Sequence, residues 1–158
     1  MALNIEIPGS EPFGLEHLVL DFNGTLAVDG TIIGGVPPRL AALAEHLQIH
    51  VITADTFGTA RAALAGIPCT LDVLPAGLPQ DTAKRDVVET LGAKTTAAIG
   101  NGRNDRLMVQ AAALGVAVVQ AEGAAVDTLL AADVAAPDIL SALDLLARPQ
   151  RLAATLRL

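Results

Sequence analysis

The chain has 158 residues, 52% of them hydrophobic, so it can bury the core of one domain and does not read as disordered. Lys+Arg 10 against Asp+Glu 17 leave a formal net charge of -7, with no Trp, no Tyr and Phe 3. So acidic a chain, so poor in stacking rings, is a poor partner for nucleic acid. The lone Cys69 cannot form an intrachain disulfide, and no apolar run approaches the roughly 18 residues of a membrane span. The opening MALNIEIPGSEPFG has no basic stretch followed by an apolar one, so no signal peptide is read there. The expectation is a cytoplasmic single domain over 1–158, with no membrane partner.

In chain order, residues 3–7 alternate apolar and polar and read as an exposed or edge strand, an extension over 1–17. The apolar run 18–20 ends in Asp21. Residues 26–35 read as a hairpin flap around the Asp29-Gly30 turn, with an apolar tip at Ile32-Ile33 that would seek cover in an oligomer. Pro37-Pro38 opens a helix over 39–48. A β-branched strand over 49–52 runs into Thr53-Ala54-Asp55. A helix over 56–65 stops at Gly66, a strand over 71–74 follows, and a helix over 79–91 closes at Gly92. A strand over 96–99 leads into Gly100-Asn101-Gly102, then a helix over 106–114 and a strand over 115–119. The remainder reads as a helix over 123–131, a strand over 133–135 and a helix over 138–147; Arg148, Arg151 and Arg157 line a solvated helix face. Strands alternating with helices imply a parallel sheet covered on both faces, a three-layer α/β/α Rossmann-like fold.

Ligands of such sheets bind beyond the carboxyl ends of the strands. Three strands end there in polar groups: Asp21-Phe22-Asn23-Gly24-Thr25, Thr53-Ala54-Asp55, and Asn101-Gly102-Arg103-Asn104-Asp105. Converging carboxylates need a partner, and a hard divalent cation such as Mg²⁺ suits them. Gly24 and Gly102 permit turns that aim backbone N–H groups at an oxyanion. Lys84, near a helix start, could reach the same edge and neutralise a phosphate. Asp55 reads equally as a helix N-cap or a site residue, and Asn104 as a turn residue or a site residue. His17, His46 and His50 show no metal-ligand spacing, and Cys69 reads as a buried small residue.

DFNGTL at 21–26, TAD at 53–55, Lys84 and GNGRND at 100–105 together resemble the four motifs of the haloacid dehalogenase superfamily. The nearest flavour is the phosphorylation domain of P-type ATPases and their small soluble relatives. The resemblance implies an Asp21 nucleophile that becomes an aspartyl phosphate. It implies Mg²⁺ bound by Asp21, the carbonyl of Asn23 and Asn101, with Asp105 supporting the metal shell. Thr53 and Lys84 would hold the transferring phosphoryl group, and Gly24, Thr25 and Ala54 would complete the phosphate-binding set.

Two positions depart from the family. Asn23 stands where its phosphatases carry an acid, and Asn101 where they usually carry a metal-ligating Asp. An amide exchanges no proton at neutral pH, and that exchange is typically worth ~10²–10⁴-fold. Only 31 residues lie between Asp21 and Thr53 and 30 between Thr53 and Lys84, so no cap and no nucleotide-binding domain fits. The expected function is Mg²⁺-dependent phosphoryl transfer or hydrolysis on a small phosphorylated substrate. The alternatives are a weak or inactive homologue that binds phosphate, metal or a protein partner, and a sugar-phosphate phosphatase working as a tetramer. The expected assembly is a homo-oligomer, dimer or tetramer.

Overall fold

The computed structural model describes residues 2–54 and 58–158. The chain starts with a ribbon of β1 (Leu3–Ile5) and β2 (Phe13–Leu15), paired antiparallel. It then enters β3 (His17–Asp21), the hairpin strands β4 (Ala27–Val28) and β5 (Thr31–Ile32), and α1 (Val36–Leu43). β6 (Gln48–Thr53), α2 (Thr59–Ala63), β7 (Thr70–Val73) and α3 (Gln80–Leu91) follow. β8 (Thr96–Gly100), α4 (Arg106–Ala111), β9 (Leu114–Val118), α5 (Val126–Ala131), β10 (Val134–Ala136), α6 (Ile139–Ala147) and α7 (Pro149–Leu156) complete it.

The main sheet has six parallel strands in the order β10-β9-β8-β3-β6-β7. β8 and β9 are buried at every residue, as expected of strands covered on both faces. Alternate residues serve two cores. Leu18, Leu20, Val51 and Ile99 join α1 and α6 residues such as Leu40 and Leu143 on one face. Val19, Ile52 and Ala98 meet Val88, Met108 and Val109 of α3 and α4 on the other. The chain therefore leaves β3 under one face and returns through α3 to β8 over the other. The carboxyl ends of β3 and β8 flank this switch point, where an open sheet offers its binding crevice.

Some expectations change. The 106–114 helix ends at Ala111, and Leu114 opens β9, fully buried and paired with Ala97. The Ala113 N–H donates to the carbonyls of Ala93 and Thr96 at 2.8 and 2.9 Å, which draws the chain out of the helix and into the sheet. Among the described residues the N-terminal strand pairs only with β2, with Asn4 exposed, while Ile5 and the nearby Ile7 and Leu15 are buried against the main core. The hairpin forms as read, with Asp29 at φ 51 and Gly30 at φ 78, the pair of positive angles a type I′ turn requires. Its Ile32 and Ile33 are, however, partly buried against the chain's own core, so they give no reason for an oligomer. Cys69 is half-buried rather than fully buried.

Candidate active site

β3 delivers Asp21 and β6 delivers Thr53 to one edge of the sheet, and both are buried there. Lys84 sits in the second turn of α3, on the face packed toward α4, and is only 2% exposed. Its ammonium donates at 2.8 Å to Oδ1 of Asp21 and at 2.8 Å to Oδ1 of Asp105. Asp105 is fully buried at the start of α4, and its Oδ2 accepts the N–H groups of Asn101 and Gly102 at 3.0 and 2.9 Å. Both oxygens of Asp105 are thus engaged, which makes it a brace for Lys84 and for the loop after β8. The fit is tight: a Cβ at Gly100 would come within 2.5 Å of the Asp105 side chain.

One ammonium between two carboxylates leaves a net negative cluster. Burial above all, then the Asp105 charge, raises the Asp21 carboxyl from 3.8 to about 7, against the pull of Lys84 and the hydrogen bond from Thr25. Burial alone would lower the Lys84 ammonium, but the two carboxylates outweigh it and hold it above its ordinary value. Both rise, with opposite effect on charge: the lysine gains two attractions and stays protonated, whereas the aspartate, desolvated and facing one attraction and one repulsion, is pushed toward its neutral form.

The Thr25 hydroxyl lies 3.3 Å from both Oδ2 of Asp21 and Oδ1 of Asn101, linking the loops after β3 and β8. Gly24 takes φ 81, and a Cβ there would come within 2.7 Å of the Asn101 amide, so two constraints demand glycine. The expectation that Gly24 and Gly102 amides face an oxyanion is not met. The Gly24 N–H donates to the Ala27 carbonyl at 2.8 Å, and the Gly102 N–H to Asp105. Gly102 is moreover extended, at φ -87 and ψ 167, and is needed for clearance from the Asn104 side chain instead.

These groups surround a cleft of about 240 Å³ lined by Asp21, Asn23, Thr53, Ala54, Gln80, Lys84, Asn101, Gly102, Asn104 and Glu122. None of residues 26–35 lines it. Asn104 is at the rim, with its amide donating to Gln80 at 2.9 Å. Asp55 lies outside the described residues. Arg103 faces solvent beside Asp127, 3.6 Å away. Among the described residues, no group of three or more His, Cys, Asp or Glu side chains could hold a metal ion. An ion in this cleft would rest on Asp21 and on neutral oxygens of Asn23 and Asn101.

Sequence reasoning missed the turn after β9. Gln120 donates through Nε2 to the carbonyls of Gly24 and Thr25 at 2.9 and 2.7 Å and accepts the Ile139 N–H at 2.9 Å. The Asn101 amide donates to the Gly123 carbonyl at 3.1 Å. The apolar run over 115–119 ends at the same sheet edge, so the rule that singled out the other strand ends pointed here too. His17 and His50 also meet, Nδ1 to Nε2 at 3.3 Å, because β3 and β6 lie side by side; that pair is away from the cleft.

No protein-family model matches the chain. The uncharacterized protein MJ0073 of Methanocaldococcus jannaschii is 48% identical over 64 residues, 40% of this chain and 69% of the relative. A Legionella pneumophila protein assigned to the haloacid dehalogenase superfamily (subfamily III A) hydrolases superposes with TM-score 0.70 at 20% identity. The match covers 89% of this chain and 86% of that one. The 3-deoxy-D-manno-octulosonate 8-phosphate phosphatase of Moraxella catarrhalis, solved with magnesium, phosphate and the sugar acid, superposes with TM-score 0.71 at 15% identity. It covers 89% of this chain and 90% of that one. The fold is that of the haloacid dehalogenase superfamily, and the chain belongs to one family with the Methanocaldococcus protein MJ0073.

Proposed function

We propose that the protein is a phosphohydrolase that moves the phosphoryl group of a small phosphorylated substrate onto Asp21 and then to water. The observation that carries this reading is Lys84, buried between Asp21 and Asp105 at 2.8 Å from each, at the floor of a cleft on the switch point. A lysine so fixed keeps Asp21 aimed and offers positive charge to a phosphoryl group arriving over it. Asp21 Oδ would form a bond to phosphorus as the bond to the leaving oxygen breaks. That oxygen keeps the electron pair and takes its proton from solvent in the open cleft. Thr53 and Thr25 would donate their hydroxyls to the group in flight.

The cluster's excess negative charge would repel a phosphate, and a divalent cation offsets that. The oxygen-only donors suit Mg²⁺. Asp21, Asn23 and Asn101 would hold the ion, which supplies charge neutralisation on the phosphoryl oxygens. The superposed Moraxella phosphatase, solved with magnesium, phosphate and a sugar acid, supports the class of ion and substrate. The finer likeness to P-type phosphorylation domains rests on the motifs at 21–26, 53–55 and 100–105, and Asn23, an amide, exchanges no proton with the phosphoryl group. No helix among the described residues is long and apolar enough to cross a membrane, and we propose a cytoplasmic setting.

Asn23 and Asn101, both lining the cleft as amides, favour a second reading, a protein that binds phosphate or metal without turnover. A panel of small phosphorylated compounds assayed with Mg²⁺ separates the two. The first reading expects turnover in the native protein and its loss in Asp21→Asn. Equal background rates in both would leave the binding protein.

A further inference from the structure

We propose that Glu122 is the general base that hydrolyses the aspartyl phosphate, taking the place of the acid missing at position 23. This rests on the phosphohydrolase reading above. Among the described residues that line the cleft, the titratable side chains are Asp21, Lys84 and Glu122. Asp21 is occupied as the nucleophile. Lys84 is spent on two carboxylates. Asn23, Gln80, Asn101 and Asn104 are amides, which neither give nor take a proton at neutral pH. Among the described residues the cleft thus contains one carboxylate, Glu122, that is not tied to Lys84.

An exposed glutamate is ordinarily a solvated surface group. The turn that carries this one is fastened on three sides. The Gly123 N–H closes on the Gln120 carbonyl at 2.7 Å. The Asn101 amide holds the Gly123 carbonyl at 3.1 Å, and the Ala125 N–H holds the Asn101 carbonyl at 2.8 Å. The Gln120 side chain grips the carbonyls of Gly24 and Thr25, three and four residues beyond the nucleophile. Glu122 is therefore carried by a turn bolted both to the loop of Asp21 and to the loop of Asn101, and it lines the cleft while exposed to solvent.

In the step assigned to it, a water oxygen attacks phosphorus and gives its proton to the Glu122 carboxylate. The bond from phosphorus to Asp21 Oδ breaks, and its electron pair restores the Asp21 carboxylate. Inorganic phosphate leaves, and the exposed Glu122 releases its proton to bulk water.

The test uses the full chain with saturating Mg²⁺ and p-nitrophenyl phosphate, whose leaving group departs as the phenolate and needs no acid. Rapid mixing reads the phenolate burst, and acid quench reads the phosphoenzyme. Glu122→Gln should keep the burst, accumulate phosphoenzyme and slow steady turnover by about 10²-fold or more. Glu122→Asp should recover part of it. Unchanged turnover in Glu122→Gln overturns the inference. So does a loss that more Mg²⁺ restores, which would make Glu122 an ion ligand. Accumulation in Asp55→Asn instead would assign the base to that residue. Activity that survives Asp21→Asn would sink the aspartyl-phosphate reading itself; activity lost there but intact in Glu122→Gln sinks this inference alone.

Discussion

Replacing Lys84 by methionine keeps most of the side-chain volume and removes the charge. Asp105 is then fully buried and Asp21 nearly so, with no cation within reach of either oxygen that Lys84 now holds at 2.8 Å. Breaking a buried pair in this way typically costs about 3–5 kcal/mol, because the abandoned charges stay desolvated. In a chain of this size each kcal/mol moves the thermal midpoint by roughly 2–4 °C, so the drop should be about 6–20 °C. The loss should depend on pH. Asp21 is raised from 3.8 to about 7 in the folded state, so the native protein holds a proton that the unfolded chain has released. Stability therefore falls as pH rises across that window. Without Lys84 the carboxyl rises further, and the decline extends above pH 7. Urea denaturation in EDTA at pH 5 and pH 8 is the assay. A loss under about 1 kcal/mol at pH 8, or one equal at both pH values, would refute the account of the cluster.

Asp21→Asn removes the carboxylate that burial disfavours, so the metal-free variant should be more stable than the native protein at pH 8 and about equal near pH 4. Differential scanning fluorimetry across pH reads this. Mg²⁺ at 100 times its dissociation constant should add about 2.7 kcal/mol to the native protein and little to the variant. Gln120→Ala deletes three hydrogen bonds that tie the turn after β9 to Gly24, Thr25 and Ile139. It should cost about 1–3 kcal/mol in denaturant melts and lower kcat, because the nucleophile loop loses its clamp.

The strand-ending polar groups were legible because each sits at the end of an apolar run, and a parallel sheet brings such ends to one edge. Asp21, Thr53, Lys84 and the loop from Asn101 to Asp105 do meet there. What the alternation of elements could not carry was the division of labour among them. Nothing in the spacing says that Asp105 spends both oxygens inside the protein, or that the Gly24 and Gly102 amides are consumed locally. Gln120 and Glu122 escaped because they match no motif and act across strands whose neighbours only the sheet order reveals. Leu114 was misplaced for a different reason. The run AAALGVAV is apolar throughout, and periodicity does not separate the end of a buried helix from the start of a buried strand. The His17–His50 pair likewise depends on β3 lying beside β6.

The central claim is that Asp21 accepts the phosphoryl group. Beryllium fluoride mimics a phosphoryl group on a carboxylate, and a crystal grown with Mg²⁺ and beryllium fluoride shows where it bonds. The account predicts density joined to a carboxylate oxygen of Asp21, with Lys84 and Thr53 around it and an ion beside Asn23 and Asn101. Density on another residue, or none at saturating ligand, would contradict it.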